Sequence, residues 1–286
     1  GLVIFVFAGD GARHPTFTEV SGEAGIVYVQ HSPRASGSCV IDVLRFCETD
    51  RMTGGAAAAD YDGDGWVDLY VTRLDGTDLL FRNQGDGSFA ESSEASGLAG
   101  FELASNGAAW GDLDNDGDAD LFVTTLGDDR FHLFINDGEG GFTEEALPRG
   151  AAVPSDQPRF GFSVALGDYD RDGWLDIHTT EWGSHPFLEG APAHARLLRN
   201  RGADQPGHFE DVTEAAGVAL DEVISQTGFE NRRGAFAFGS AFVDLDLDGW
   251  QDLAVVSDFG KTRLYWNNGD GTFRDGTLAA GVGSDE

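Results

Sequence analysis

The stretch Asp60-Tyr61-Asp62-Gly63-Asp64-Gly65-Trp66-Val67-Asp68-Leu69 decides how the rest of the chain is read. It sets Asp at loop positions 1, 3, 5 and 9 and Gly at position 6. The pattern returns from Asp112, Asp168 and Asp244. The quartets are Asp60, Asp62, Asp64 and Asp68; Asp112, Asp114, Asp116 and Asp120; Asp168, Asp170, Asp172 and Asp176; and Asp244, Asp246, Asp248 and Asp252. Carboxylates this close repel one another unless a cation sits among them. Hard oxygen donors at alternate positions suit Ca²⁺, which takes about 6–8 oxygens. Gly65, Gly117, Gly173 and Gly249 permit a positive φ, so the chain can curl round an ion. The competing reading is a set of acidic hairpin turns without metal, and four copies of one spacing argue against it.

The loop resembles an EF-hand in its first half only. An EF-hand has Glu at position 12 and a helix on each side. Here that position holds Val71, Val123, Thr179 and Val255. The flanks are short apolar runs, such as Leu69-Tyr70-Val71-Thr72 and Leu121-Phe122-Val123-Thr124, which read as strands. The expected element is a cation loop between two strands, closed by the Asp at position 9.

A larger unit surrounds each loop. A strand of small residues precedes it, as in Gly55 to Ala59 and Gly107-Ala108-Ala109. An apolar strand follows, then a third strand such as Leu79-Leu80-Phe81-Arg82 or Leu264-Tyr265-Trp266. Next come turns such as Asn83-Gln84-Gly85-Asp86-Gly87 and Asn267-Asn268-Gly269-Asp270-Gly271, whose Asn and Gly suit tight hairpins. A fourth strand starts at a Phe and runs into Phe209-Glu210-Asp211-Val212-Thr213-Glu214-Ala215-Ala216-Gly217 or its relatives at Phe17, Phe89, Phe142 and Phe273. Four short antiparallel strands per unit predict an all-β fold, a β-propeller with four-stranded blades and calcium loops between strands 1 and 2. Small residues on the first strand fit the crowded axis of a propeller. The loop spacings of 52, 56 and 76 leave insertions at Trp182 to Ala195 and Leu220 to Gly234. A further irregular stretch runs from Tyr28 to Thr53.

The 286 residues carry a formal charge of −32, with 50 acids against 18 Lys and Arg. Four calcium ions would bring −32 only to −24, so the surface stays acidic. Phosphate contacts need Lys and Arg, which argues against nucleic acid as a partner. Cys39 and Cys47 suit either a hairpin disulfide in an oxidising compartment or two free thiols. No stretch approaches the roughly 20 apolar residues of a membrane span. Residues 1–15 read as a signal-peptide remnant or linker, Gly1 to Gly9 equally suiting a buried strand, and residues 16–286 read as propeller blades. The expected location is secreted, periplasmic or cell surface.

The Asp loops, the small strand before them and the Asn-x-Gly-Asp-Gly-x-Phe turn resemble FG-GAP/VCBS repeats, the calcium-binding blades of the integrin alpha-subunit propeller. The Phe209 to Gly217 ending resembles that of the secreted cartilage-acidic-protein-like (ASPIC/UnbV-type) group. The likeness spans about Phe17 to Gly281. It implies a main-chain carbonyl ligand at loop position 7, here Trp66, Asp118, Trp174 and Trp250. Family propellers often have seven blades, whereas four complete units and an orphan fourth strand are legible here. The chain then reads as part of a larger ring, with two alternatives: an unusually small ring, or a degenerate blade within Tyr28 to Thr53.

These features point to a non-catalytic, extracytoplasmic binding module for a protein or glycan, with structural calcium. A second reading is a docking platform in a larger periplasmic or surface complex, using Trp182 and Phe187 as exposed contacts. A third is a metal-dependent sugar lyase or dehydratase, as in a few propellers of this type. Its candidate groups are His178, Glu181, His185, His194, Arg232 and Arg233, which would have to converge in one pocket. The rings of Trp66, Trp174 and Trp250 are expected to cover the seams between blades.

Overall fold

The computed structural model describes residues 3–6, 16–29, 54–74, 76–156, 159–182, 195–220, 236–258 and 262–282. Cys39, Cys47, His185, Phe187, His194, Arg232 and Arg233 lie outside them. A short N-terminal sheet pairs β1 (Val3–Val6) with β2 (Thr16–Glu19). Blade 1 is β3 (Ala56–Ala59), β4 (Asp68–Val71), β5 (Leu79–Asn83) and β6 (Phe89–Glu91). Blade 2 is β7 (Ser105–Gly111), β8 (Asp120–Thr125), β9 (His132–Asn136) and β10 (Phe142–Glu144). Blade 3 is β11 (Gly161–Gly167), β12 (Asp176–Glu181), β13 (Arg196–Asn200) and β14 (Phe209–Asp211). Blade 4 is β15 (Ala237–Val243), β16 (Asp252–Ser257), β17 (Arg263–Asn267) and β18 (Phe273–Asp275). Each blade is a four-stranded antiparallel sheet in simple sequential order, so the fold is an all-β propeller.

The first strands β3, β7, β11 and β15 neighbour one another in turn. Their small residues are a steric requirement. A Cβ on Gly107 would stand 2.7 Å from the carbonyl oxygen of Phe162 on the next inner strand. The second strands are sandwiched between blades. All six residues of β8 are buried, which explains a run that is apolar without alternation.

The inner pairs are irregular near the end away from the loops, with register shifts at Ser105/Ala108, Gly161/Ser163 and Ala237/Gly239. A threonine hydroxyl serves the freed backbone in blades 2 and 3, and its counterpart in blade 1 makes the same bond just beyond a regular pairing. Thr72, Thr124 and Thr180 accept the N–H of Gly55, Gly107 and Ser163 at 2.7, 3.0 and 3.1 Å. Blade 4 carries Val256 at the corresponding position.

The core lies at the seams. Tyr61, Leu80, Leu121 and Phe134 pack between blades 1 and 2, Leu113, Phe131, Ile177 and Leu198 between blades 2 and 3, and Tyr169, Leu197, Leu253 and Tyr265 between blades 3 and 4. One main-chain bond recurs at each seam. The N–H groups of Phe142, Phe209 and Phe273 donate to Ser96, Arg149 and Ala216 of the preceding blade at 3.0, 2.7 and 2.8 Å. Phe89 donates likewise to Ala24 at 2.7 Å. The recurrent Phe and the residue just before the Gly that follows it by eight positions are therefore two halves of one joint. Ala24 places the β1–β2 pair before blade 1, where the outer two strands of a preceding blade would sit. The orphan fourth strand expected at Phe17 thus has a partner in β1.

Candidate metal centres

In each blade the acidic loop spans the turn from the first to the second strand. The residue before position 1 pairs with the Asp at position 9: Ala59 with Asp68, Gly111 with Asp120, Gly167 with Asp176 and Val243 with Asp252. Main-chain N–H groups then fix the carboxylates. The Asp at position 1 accepts from positions 5 and 6, at 3.0 and 2.8 Å in loop 1 and 3.0 and 3.0 Å in loop 3. Asp64, Asp116, Asp172 and Asp248 accept from the position 7 N–H groups of Trp66, Asp118, Trp174 and Trp250 at 2.9, 3.1, 2.9 and 2.8 Å. The position 9 carboxylates accept from position 2 and from an asparagine N–H that ends the third strand. For Asp120 these are Leu113 at 3.0 Å and Asn136 at 2.9 Å.

The curl uses two left-handed residues per loop. Gly65, Gly117, Gly173 and Gly249 have φ of 88, 103, 91 and 93°. Position 4 is left-handed as well: Gly63, Asn115, Arg171 and Leu247 have φ of 68, 56, 59 and 64°. The residue pattern singled out only the first set, because three of the four residues at position 4 carry a side chain.

Donor oxygens from Asp60, Asp62 and Asp68 lie within 4.8 Å of one another, and so do those from Asp112, Asp114 and Asp120, from Asp168, Asp170 and Asp176, and from Asp244, Asp246 and Asp248. Positions 1, 3 and 9 converge in loops 1 to 3, with Asp64, Asp116 and Asp172 outside the triplet. In loop 4 the triplet takes Asp248 and leaves out Asp252. The chemistry fits a hard cation. The Oδ1 atoms of Asp62, Asp114 and Asp170 are buried with no hydrogen-bond partner, each at position 3. Such an atom is costly to leave unpaired, and a cation would satisfy it. Burial pushes Asp120 up to about 7 and Asp176 up to about 8, and neighbouring loop carboxylates push the same way.

The third-strand asparagines were legible only as turn formers, yet they lock the loops together. Besides holding its own position 9 Asp, Asn136 donates from Nδ2 to the carbonyls of Tyr61, in the preceding loop, and Ala119, at 2.8 and 3.0 Å. Asn200 does the same to Leu113 and Leu175, and Asn267 to Tyr169 and Gln251. Among the described residues, two basic side chains also pair with loop carboxylates. Arg82 pairs with Asp62 and Asp64, and Arg149 pairs with Asp114 at 3.3 Å.

The loop tryptophans meet the seam expectation only in part. Trp66, Trp174 and Trp250 pack over Gly85, Gly202 and Gly269 in the third-to-fourth-strand turns of their own blades, and Trp250 also reaches the seam, with the Arg171 guanidinium of the blade 3 loop 5.1 Å from its ring centre. A Cβ on Gly85 would come within 2.7 Å of the Trp66 ring, so that turn needs glycine for space as well as for φ. Trp182 is packed: its ring meets Phe236 and Phe238 of blade 4, and its Nε1–H donates to Asp258 at 3.1 Å. His178 is fully buried beside Phe242, with Nδ1 2.8 Å from the Ser240 hydroxyl, and burial pulls it down to about 3. Glu181 is ion-paired with buried Arg159. The two described members of the proposed His/Glu constellation therefore have separate partners.

The FG-GAP-like repeat model matches residues 60–123, 112–179 and 244–285, more than half of the chain. The chain belongs to the FG-GAP-like repeat family. The matched spans contain all four acidic loops. Integrin alpha-3 of Cricetulus griseus and of Mus musculus are each 29% identical to it over 119 residues, which is 40% of this chain and 10% of theirs. The chain thus spans about a tenth of the length of the curated relatives it matches. Among solved structures, an Agrocybe aegerita lectin described as recognising non-reducing terminal N-acetylglucosamine aligns with a TM-score of 0.40 and 20% identity, over 78% of this chain and 51% of that one. A V. cholerae biofilm matrix protein aligns with a TM-score of 0.35 and 16% identity, over 77% and 38%.

Proposed function

We propose that this FG-GAP propeller is an extracytoplasmic calcium-binding module that presents a surface to a protein or glycan ligand, and that its calcium is structural. The carrying observation is the repeated triplet of Asp oxygens, with an unpaired buried oxygen at position 3 in three loops. The proposed ligands are Asp60, Asp62, Asp64 and Asp68; Asp112, Asp114, Asp116 and Asp120; Asp168, Asp170, Asp172 and Asp176; Asp244, Asp246, Asp248 and Asp252; and the carbonyls of Trp66, Asp118, Trp174 and Trp250. Calcium there would cancel the carboxylate repulsion and pin the inner turn of each blade, so that binding energy becomes folding energy.

The similarity to integrin alpha-3 supports a protein ligand and an extracellular setting. The Phe209 to Gly217 ending supports a place in the cartilage-acidic-protein-like group, with residues 16–286 as blades. Among the described residues no helix is long and apolar enough to cross a membrane. The test is thermal unfolding with and without chelator. EDTA should lower the melting temperature by roughly ten degrees or more, about 3–6 kcal/mol for a domain of this size, and excess Ca²⁺ should restore it. An identical melt in EDTA and in Ca²⁺ contradicts the structural role.

A further inference from the structure

The four loops share a backbone plan but differ in the charge brought against them. In loop 1 the Arg82 guanidinium lies on two carboxylates at once. Its Nε donates to Asp62 Oδ2 and its Nη2 to Asp64 Oδ2, the latter at 2.5 Å. Asp64 Oδ1 already accepts the Trp66 N–H at 2.9 Å, so both oxygens of the position 5 carboxylate are engaged. In the other loops the position 5 Oδ1 makes the same main-chain bond. Among the described residues, however, no Arg or Lys pairs with Asp116, Asp172 or Asp248.

The strand register explains the difference. Arg82 of β5 pairs with Ala90, and the matching positions of the other third strands are Ile135, Arg199 and Trp266. Ile135 and Trp266 have no charge to offer. Arg199 pairs with Glu210 on its neighbouring strand, 3.4 Å away, and its charge reaches Asp170 of loop 3 without pairing with it. Loop 2 does meet Arg149, but from the outer turn of the blade and at position 3 alone. That guanidinium is shared with Glu145 at 2.7 Å and with the Pro206 carbonyl at 3.2 Å.

We propose that Arg82 makes loop 1 the weakest of the four cation sites, by setting a tethered positive charge against Asp62 and Asp64, two of its proposed ligands. The inference rests on the calcium reading of the loops. An arriving Ca²⁺ must displace the guanidinium from Asp64 or bind beside its positive charge, and either lowers the affinity of this loop alone. The chain then carries one site that fills at higher Ca²⁺ than the rest, a graded response within one propeller.

Trp66, Trp174 and Trp250 sit at position 7 of loops 1, 3 and 4, which makes the sites separately readable with Tb³⁺ as the probe. The part of the Tb³⁺ emission that Trp66→Phe removes reports loop 1, and the part that Trp174→Phe and Trp250→Phe remove reports loops 3 and 4, which sets aside the signal of Tyr169 in loop 3 and of Trp110 beside loop 2. Loop 1 should fill at higher Tb³⁺ than the other two. Arg82→Gln should lower its midpoint about tenfold, the scale expected for removing one charge beside a bound cation. Arg82→Lys, which keeps the charge and loses the fork, should fall between. Loops 3 and 4 should not respond to either change. If Arg82→Gln leaves the loop 1 midpoint unchanged or raises it, Arg82 orients the carboxylates rather than competing for them, and the proposal is wrong. If no loop takes up Tb³⁺, the calcium reading itself fails.

Discussion

Asp78 lies 4% exposed between β4 and β5, where it accepts the Tyr70 hydroxyl at 2.5 Å and the Arg73 N–H at 2.6 Å. Burial pushes it up to about 6, above the roughly 3.9 of an unfolded Asp. A raised folded value favours the folded state in acid, and the contribution is lost as pH rises through about 6. Asp78→Asn removes this titration and turns one of the two accepting oxygens into a donor, a cost that does not depend on pH. The stability of the wild type relative to the variant should therefore be greater at pH 5 than at pH 7.5, by about 1 kcal/mol. Denaturant unfolding of both chains at both pH values checks this, and a gap independent of pH contradicts it. The loop acids were legible at this scale because their spacing repeats. Asp78 was not, since nothing beside it in the sequence marks its burial. The same holds for Asn136 and Tyr61, which are 75 residues apart and meet only when two blades pack.

Strands and turns were the most legible level. The small inner strands, the loop ends and the Phe that starts each outer strand all follow from local pattern, because each answers a local need: space at the axis, ligand spacing, hairpin geometry. The Gly eight residues after that Phe recurs for a reason no single blade reveals. Gly150 has φ of 73°, and a Cβ there would stand 2.5 Å from the carbonyl oxygen of Phe209 in the next blade. Gly63 has φ of 68° but no atom within 4 Å of its Cβ position. Gly150→Ala should thus combine backbone strain with a seam collision and cost about 2–3 kcal/mol. Gly63→Ala should cost about 1 kcal/mol from strain alone. Chemical denaturation in saturating Ca²⁺ separates the two, and equal losses would show that the seam gives way freely. The threonines at the inner-strand irregularities were read only as strand residues, since their hydroxyl role exists only once the bulge has formed.

Across the whole molecule, the formal charge of −32 works against compactness. Without divalent cations, the melting temperature should rise as NaCl is raised from about 0.05 to 0.5 M, because salt screens the clustered acids. With Ca²⁺ present the same salt step should matter less; an equal response in both states would mean that the loops are not the seat of the repulsion. The core supports this division of labour, since apolar packing joins the blades at their seams while the acidic loops lie at the ends of their inner strands. The blade plan and the acidic quartets were readable from one sequence because both are repeats. The unequal surroundings of the loops were not, because Arg82 and Arg149 reach them from outer strands and turns. The most direct measurement is the metal content of the purified chain after dialysis against trace Ca²⁺ and removal of free ion, read by elemental analysis. The account predicts calcium bound at up to four per chain, lost when the position 1 and 3 aspartates are changed to Asn. A folded chain that retains no calcium, or retains it unchanged in those variants, contradicts it.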